Sequence, residues 1–181
     1  MKEFIVTVFG SSFPTEGDEE YEMAYEMGKL LGANGYTVCN GGYGGIMEAT
    51  AKGAKETGGN VIGITTKVFN RAPNQYSDKI ISTETHLERL QKLVGLGDAY
   101  IFLPGGTGTL LELSYVLEYI LKGLIKPKPI ISIGDFWKPI IETICREGTK
   151  NKILNSEKLI TFVKNTNDCI KMLKLLQNET K

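Results

Sequence analysis

The stretch Ala99-Tyr100-Ile101-Phe102-Leu103-Pro104-Gly105-Gly106-Thr107-Gly108-Thr109-Leu110-Leu111-Glu112 runs from uninterrupted apolar residues, through glycines, into residues at helical spacing. An apolar run with no polar alternation suits a strand covered on both faces, as in a parallel sheet. Residues 104–108 then turn the chain into a helix that continues to about Lys122. The same order of strand, glycines and helix occurs earlier. Tyr36-Thr37-Val38-Cys39 reads as a strand, residues 41–45 as a glycine loop, and residues 46–57 as a helix closed by Gly58-Gly59. Nearer the N-terminus, Phe4-Ile5-Val6-Thr7-Val8-Phe9 is a β-branched strand ending at Gly10-Ser11-Ser12. Tyr21, Ala24, Gly28 and Leu31 then mark a helix, with Gly35 at the position of a left-handed C-terminal cap.

Outward from these units the alternation continues. Strands are expected at residues 61–64, 80–81, 130–133 and 159–162, and helices at 86–96, 136–146 and 167–176. Strands alternating with helices require right-handed crossovers, so the expected fold is α/β, a Rossmann-like doubly wound parallel sheet with helices on both faces. Residues 66–78 form the longest loop and the best candidate for a lid. At 181 residues, 41% hydrophobic and 23% charged, the chain fits a single domain spanning 1–181.

Lys+Arg and Asp+Glu are both 21, so there is no basic excess of the kind that nucleic acid or an anionic membrane requires. The expected partner is a small molecule. The 3 cysteines are far apart and no signal peptide or membrane-length apolar run is visible, which points to a reducing cytoplasm. One histidine with scattered cysteines cannot furnish a His/Cys metal cluster, and no cofactor is implied.

In a doubly wound sheet the ligand lies beyond the carboxyl ends of the strands, where both glycine loops fall. Without side chains, the loop holding Gly41, Gly42, Gly44 and Gly45, and the loop holding Gly105, Gly106, Thr107, Gly108 and Thr109, let backbone N–H groups approach a phosphate at the positive end of a helix. The same glycines also suit tight turns and close helix packing, and both readings stand. Neither loop is a Walker sequence, since no Gly-Lys-Ser/Thr closes it, and Gly10-Ser11-Ser12 lacks the dinucleotide fingerprint. Gly10, Ser11 and Ser12 are placed to contact ribose or phosphate, although serines also serve such turns locally. Glu112 reads in two ways, as a carboxylate for chemistry or as the closing residue of a Thr109–Glu112 capping box. Arg89, beside Glu88 and Lys92, reads either as a solvated charge or as a site cation. His86 is left outside the site, and Cys39 is expected in the core.

Pro104 to Glu112 matches the signature P-G-G-x-G-T-x-x-E and on that basis resembles the LOG family, the cytokinin riboside 5′-monophosphate phosphoribohydrolases. The resemblance extends through Val8-Phe9-Gly10-Ser11-Ser12, Gly41-Gly42-Tyr43-Gly44-Gly45-Ile46-Met47, Val61-Ile62-Gly63, Arg89 and Asp98-Ala99-Tyr100. It implies cleavage of the N-glycosidic bond of AMP or an N6-substituted AMP, giving free base and ribose 5-phosphate, with Arg89 and Glu112 catalytic. The chemistry is consistent with those residue types, because a ribosyl cation-like state needs a carboxylate to orient water and a cation or donor nearby. Cytokinin-activating members carry Arg-Lys where this chain has Arg89-Leu90, an acidic residue where it has Arg71-Ala72-Pro73, and threonine where it has Glu118. These departures leave the base open. They also keep an alternative, a non-catalytic carrier of a nucleotide or of a molybdenum cofactor in the same pocket. The signature helix is apolar over most of its circumference, from Leu110 to Leu121, which points to a homodimer or larger assembly.

Overall fold

The computed structural model describes residues 3–150 and 160–179. In chain order the elements are β1 (Ile5–Phe9), α1 (Glu19–Ala33), β2 (Thr37–Asn40), α2 (Ile46–Glu56), β3 (Val61–Thr66), β4 (Lys79–Thr83) and α3 (His86–Leu96). They continue with β5 (Ala99–Phe102), α4 (Thr107–Leu121), β6 (Ile130–Ile133), α5 (Lys138–Lys150), β7 (Thr161–Val163) and α6 (Thr166–Glu179). All neighbouring strands pair in parallel, in the order β4-β3-β2-β1-β5-β6-β7. The expected doubly wound α/β sheet is the observed one. β4 is longer than the expected residues 80–81, because its backbone pairs with β3 from Ile62–Lys79 to Thr66–Thr83 although its side chains are largely exposed. An edge strand of this kind carries little apolar signal. The expected strand at 159–162 starts at Thr161, and Leu159 lies outside the described residues.

Alternation along each buried strand sorts the core into two layers. Val6, Val8, Val38, Ala99, Ile101, Ile131 and Ile133 point to one face, where they pack with Met27 and Leu31 of α1, Ala49 and Ala54 of α2 and Leu173 of α6. Phe9, Cys39, Tyr100, Phe102 and Ile130 point to the other, against Leu93 of α3, Leu113 and Val116 of α4 and Ile141 of α5. Helices α1 and α2 approach closely: a Cβ on Gly28 would lie 2.1 Å from the Thr50 carbonyl oxygen, and one on Gly53 2.0 Å from that of Tyr25. Gly35, at φ +75°, ends α1 as its position after the apolar stripe predicts. No helix among the described residues is long and apolar enough to cross a membrane.

From β1 the chain winds outward through β2, β3 and β4, then returns to place β5 on the opposite side of β1. The loops after β1 and β5 therefore part in opposite directions and leave a crevice above the sheet's carboxyl edge, the position where such folds bind ligands.

Candidate active site

A cleft of about 440 Å³ occupies this crevice, a volume within the usual range for small-molecule sites. Gly10, Ser11 and Ser12 from the β1 loop form part of its wall, facing Gly106, Thr107, Gly108 and Thr109 from the start of α4. Arg89 and Glu112 line it between these loops and an aromatic side made by Tyr43, Phe69 and His86.

Helix α3 sets the position of Arg89. The Thr85 hydroxyl accepts from the Glu88 amide at 3.1 Å, and the Glu88 carboxylate accepts from the Glu84 amide at 3.0 Å, which fixes the first turn. Arg89 follows within that turn and is only 5% exposed, so the solvated-charge reading is overturned. Its Nε donates to the Ile64 carbonyl at 2.8 Å and its Nη2 to the Gly41 carbonyl at 3.2 Å, tying the ends of β2 and β3 together. The guanidinium carbon lies 5.6 Å from the Tyr43 ring centroid and 5.8 Å from that of Phe69. Nη1 remains for the Glu112 Oε1 atom, 3.9 Å away. That distance is an ion pair at its outer limit and too long for a hydrogen bond.

Glu112 does not close a capping box. Gly106 is the N-cap of α4, which puts Thr109 at the third helical position and Glu112 almost a turn further on. The Thr109–Glu112 box, one of the two readings of Glu112, fails because the helix starts too early for it, whereas at the start of α3 the Thr85 hydroxyl does meet the Glu88 amide. The Glu112 side chain is largely but not fully buried, 14% exposed, and desolvation, only partly offset by Arg89, raises its pKa to about 7.

The two glycine loops differ in use. Gly41, Gly42, Gly44 and Gly45 do not line the cleft. A Cβ at Gly41 would lie 1.8 Å from Arg89 Nη2, so this glycine makes room for the arginine. Gly45, at φ +68°, brings the chain against the Ser11 carbonyl, which accepts from the Ile46 amide at 2.9 Å. The first amide of α2 is thus already satisfied by protein. Gly105 packs on Thr109, where a Cβ would lie 2.2 Å from Oγ1, and it too lies off the cleft. Gly106 and Gly108 differ, since a Cβ on either would meet nothing within 4 Å. With no side-chain cap at Gly106, the first turn of α4 offers its backbone N–H groups and the positive end of its dipole to the cleft. Ser11 is partly committed, its amide donating to the Pro104 carbonyl at 3.0 Å and its hydroxyl accepting from the Phe13 amide at 3.2 Å.

Residues that sequence reasoning left out of the site complete the wall: Phe13, Tyr43, Met47, Phe69, Asn70, Arg71 and His86. The candidate lid contributes Phe69, Asn70 and Arg71. Beyond them it is pinned, the Asn74 amide donating to the Gly42 carbonyl at 2.8 Å and its side-chain nitrogen to the Tyr43 carbonyl at 2.9 Å. Cys39 is buried as expected, its thiol pushed up to about 12 by desolvation and far from nucleophilic use.

Residues 3–164 match the model of the SLOG cluster4 family. A cytokinin riboside 5′-monophosphate phosphoribohydrolase of Rhodococcoides fascians is 31% identical over 77% of this chain and 73% of its own length. A protein of that name from Mycobacterium tuberculosis is 37% identical over 61% of this chain, but the chain spans only 60% of that relative. Among solved structures, the molybdenum cofactor binding protein from the phototrophic bacterium Rippkaea orientalis is 26% identical, with a TM-score of 0.74 over 96% of this chain and 97% of that one.

Proposed function

The chain belongs to the SLOG cluster4 family, of the LOG type, and on that footing we propose that it hydrolyses the N-glycosidic bond of a nucleoside 5′-monophosphate, AMP or an N6-substituted AMP, to the free base and ribose 5-phosphate. The observation that carries this reading is the largely buried Arg89–Glu112 pair, 3.9 Å apart in a cleft that also holds the uncapped start of α4. The phosphate takes the first turn of α4 at Gly106, Thr107, Gly108 and Thr109, with Ser11 and Ser12 across the cleft. That position puts the anomeric carbon near Glu112. As the C1′–N bond breaks, its electron pair leaves with the base and a ribosyl cation-like state develops. The Glu112 carboxylate takes one proton from water while the water oxygen bonds C1′, and the base regains a proton from solvent. A carboxyl group with a pKa of about 7 is matched to proton transfer near neutral pH. Arg89 holds that carboxyl ionised in part and fixes its place.

The structural likeness to a molybdenum cofactor binding protein, over nearly the full length of both chains, supports a second reading as a non-catalytic carrier. Turnover decides between them: incubation with AMP is expected to release adenine and ribose 5-phosphate, and tight binding of AMP without release selects the carrier. AMP is expected to bind at least tenfold more tightly than adenosine in calorimetry, and Gly106→Val to erase that difference while the protein stays folded. The valine Cβ has open space, its φ of −95° is ordinary, and its methyl groups occupy the space above the first turn of α4. Equal affinity of the wild type for AMP and adenosine would sink the assignment of the phosphate to this turn.

A second copy of the chain is the partner that α4 suits. Leu117 is only 6% exposed and belongs to the monomer's own core, whereas Leu111 is 45% exposed. Wild type is expected to sediment as a dimer or larger at micromolar concentration, and Leu111→Glu as a monomer with a nearly unchanged Tm, since exposed positions contribute little to stability. A monomeric wild type refutes the assembly.

A further inference from the structure

His86 opens α3 and lines the cleft, its ring 5.2 Å from that of Phe69 between centroids. Its Nδ1 is shut off from solvent and has no hydrogen-bond partner. An N–H sealed without an acceptor is rarer than an unpaired lone pair, so the ring proton belongs on Nε2, the nitrogen that a ligand in the cleft can still reach. A second proton would place an N–H at the sealed Nδ1 and a positive charge near Arg89. Burial first, then that arginine, hold the imidazole below its ordinary pKa. His86 is therefore a neutral donor with one usable N–H.

The cleft is asymmetric. Arg89 sits beside Tyr43 and Phe69 on the β2–β3 side, while the uncapped turn of α4 lies on the β5 side. A nucleotide with its phosphate on α4 and its anomeric carbon by Glu112 directs its base toward the aromatic side, where a flat ring can stack on Phe69. Resting on the hydrolase reading, we infer that His86 is a further catalytic residue, donating a hydrogen bond from Nε2 to an acceptor atom of the departing base. As the C1′–N bond breaks, its electron pair passes to the base, and the Nε2–H dipole stabilises the charge that builds there. The proton stays on His86, and the base takes its own from water.

The experiment compares AMP with ribose 5-phosphate carrying 4-nitrophenolate at C1′, a leaving group stable as an anion without a donor. His86→Phe keeps the ring packing on Phe69 and removes the N–H. Its kcat for AMP is expected to fall on the order of 100-fold, with KM little changed, while turnover of the nitrophenyl substrate stays within about threefold. An AMP kcat within about threefold of wild type, or an equal loss on both substrates, overturns the inference. His86→Ala applies the same two ratios should the phenyl ring obstruct the cleft. Wild-type protein inert toward both substrates removes the hydrolase reading and this inference with it, an outcome distinct from any difference between the variants.

Discussion

Glu112→Gln is expected to lower turnover of AMP by on the order of 100-fold or more while leaving the fold and AMP binding intact. Glutamine keeps the shape of the side chain but neither accepts a proton from water nor stabilises a ribosyl cation-like state. The pH dependence has a definite sign. With a pKa near 7, the wild-type carboxyl is protonated below that value, so kcat is expected to decline as pH falls through 7 and to level off above it. Stability runs the other way. The folded-state pKa lies above the unfolded one, so the unfolded chain loses its proton first and stability falls as pH rises from about 4.5 to 7. Glu112→Gln lacks that penalty and should melt a few degrees higher than wild type at pH 8, by thermal denaturation. A variant with activity within a few-fold of wild type would return Glu112 to a structural role and favour the carrier.

Arg89→Ala is expected to abolish hydrolysis and also to destabilise the protein. The truncation leaves the Ile64 and Gly41 carbonyls without their donor and Glu112 without its counter-charge. Removing one partner from such a buried network costs about 3–5 kcal/mol, and for a chain of this size each kcal/mol lowers Tm by roughly 2–4 °C. The lost cation also allows the Glu112 pKa to rise further, which leaves less of that carboxyl ionised at neutral pH. Arg89→Lys separates charge from geometry. A lysine retains the positive charge but lacks the planar fork that meets both carbonyls and faces Glu112, so stability should recover in part and turnover should not. A melting curve for Arg89→Ala superimposable on wild type would show that the network contributes nothing to the fold.

The amino-acid sequence by itself determined the sheet and its helices, because buried parallel strands such as Val6–Val8 and Ala99–Phe102 are β-branched or apolar along their whole length and the helices between them carry period-3.6 stripes. It also determined the signature with its glutamate and the arginine upstream. The tertiary structure decided what those residues touch. Local spacing offered a capping box at Thr109–Glu112, and only the observed start of α4 at Thr107 removes it. Sequence gave both glycine loops an equal claim on phosphate. Packing separates them, because Gly41 is occupied by Arg89 from a helix 48 positions away, while Gly106 faces open space. Tyr43, Phe69, Arg71 and His86 come from two loops and a helix start that only the winding of β2, β3 and α3 about Arg89 brings to one cleft. Periodicity reports which side of its own element a residue occupies. It carries no record of which distant element lies opposite, and a site assembled from four loops at one sheet edge is made of such long-range pairings.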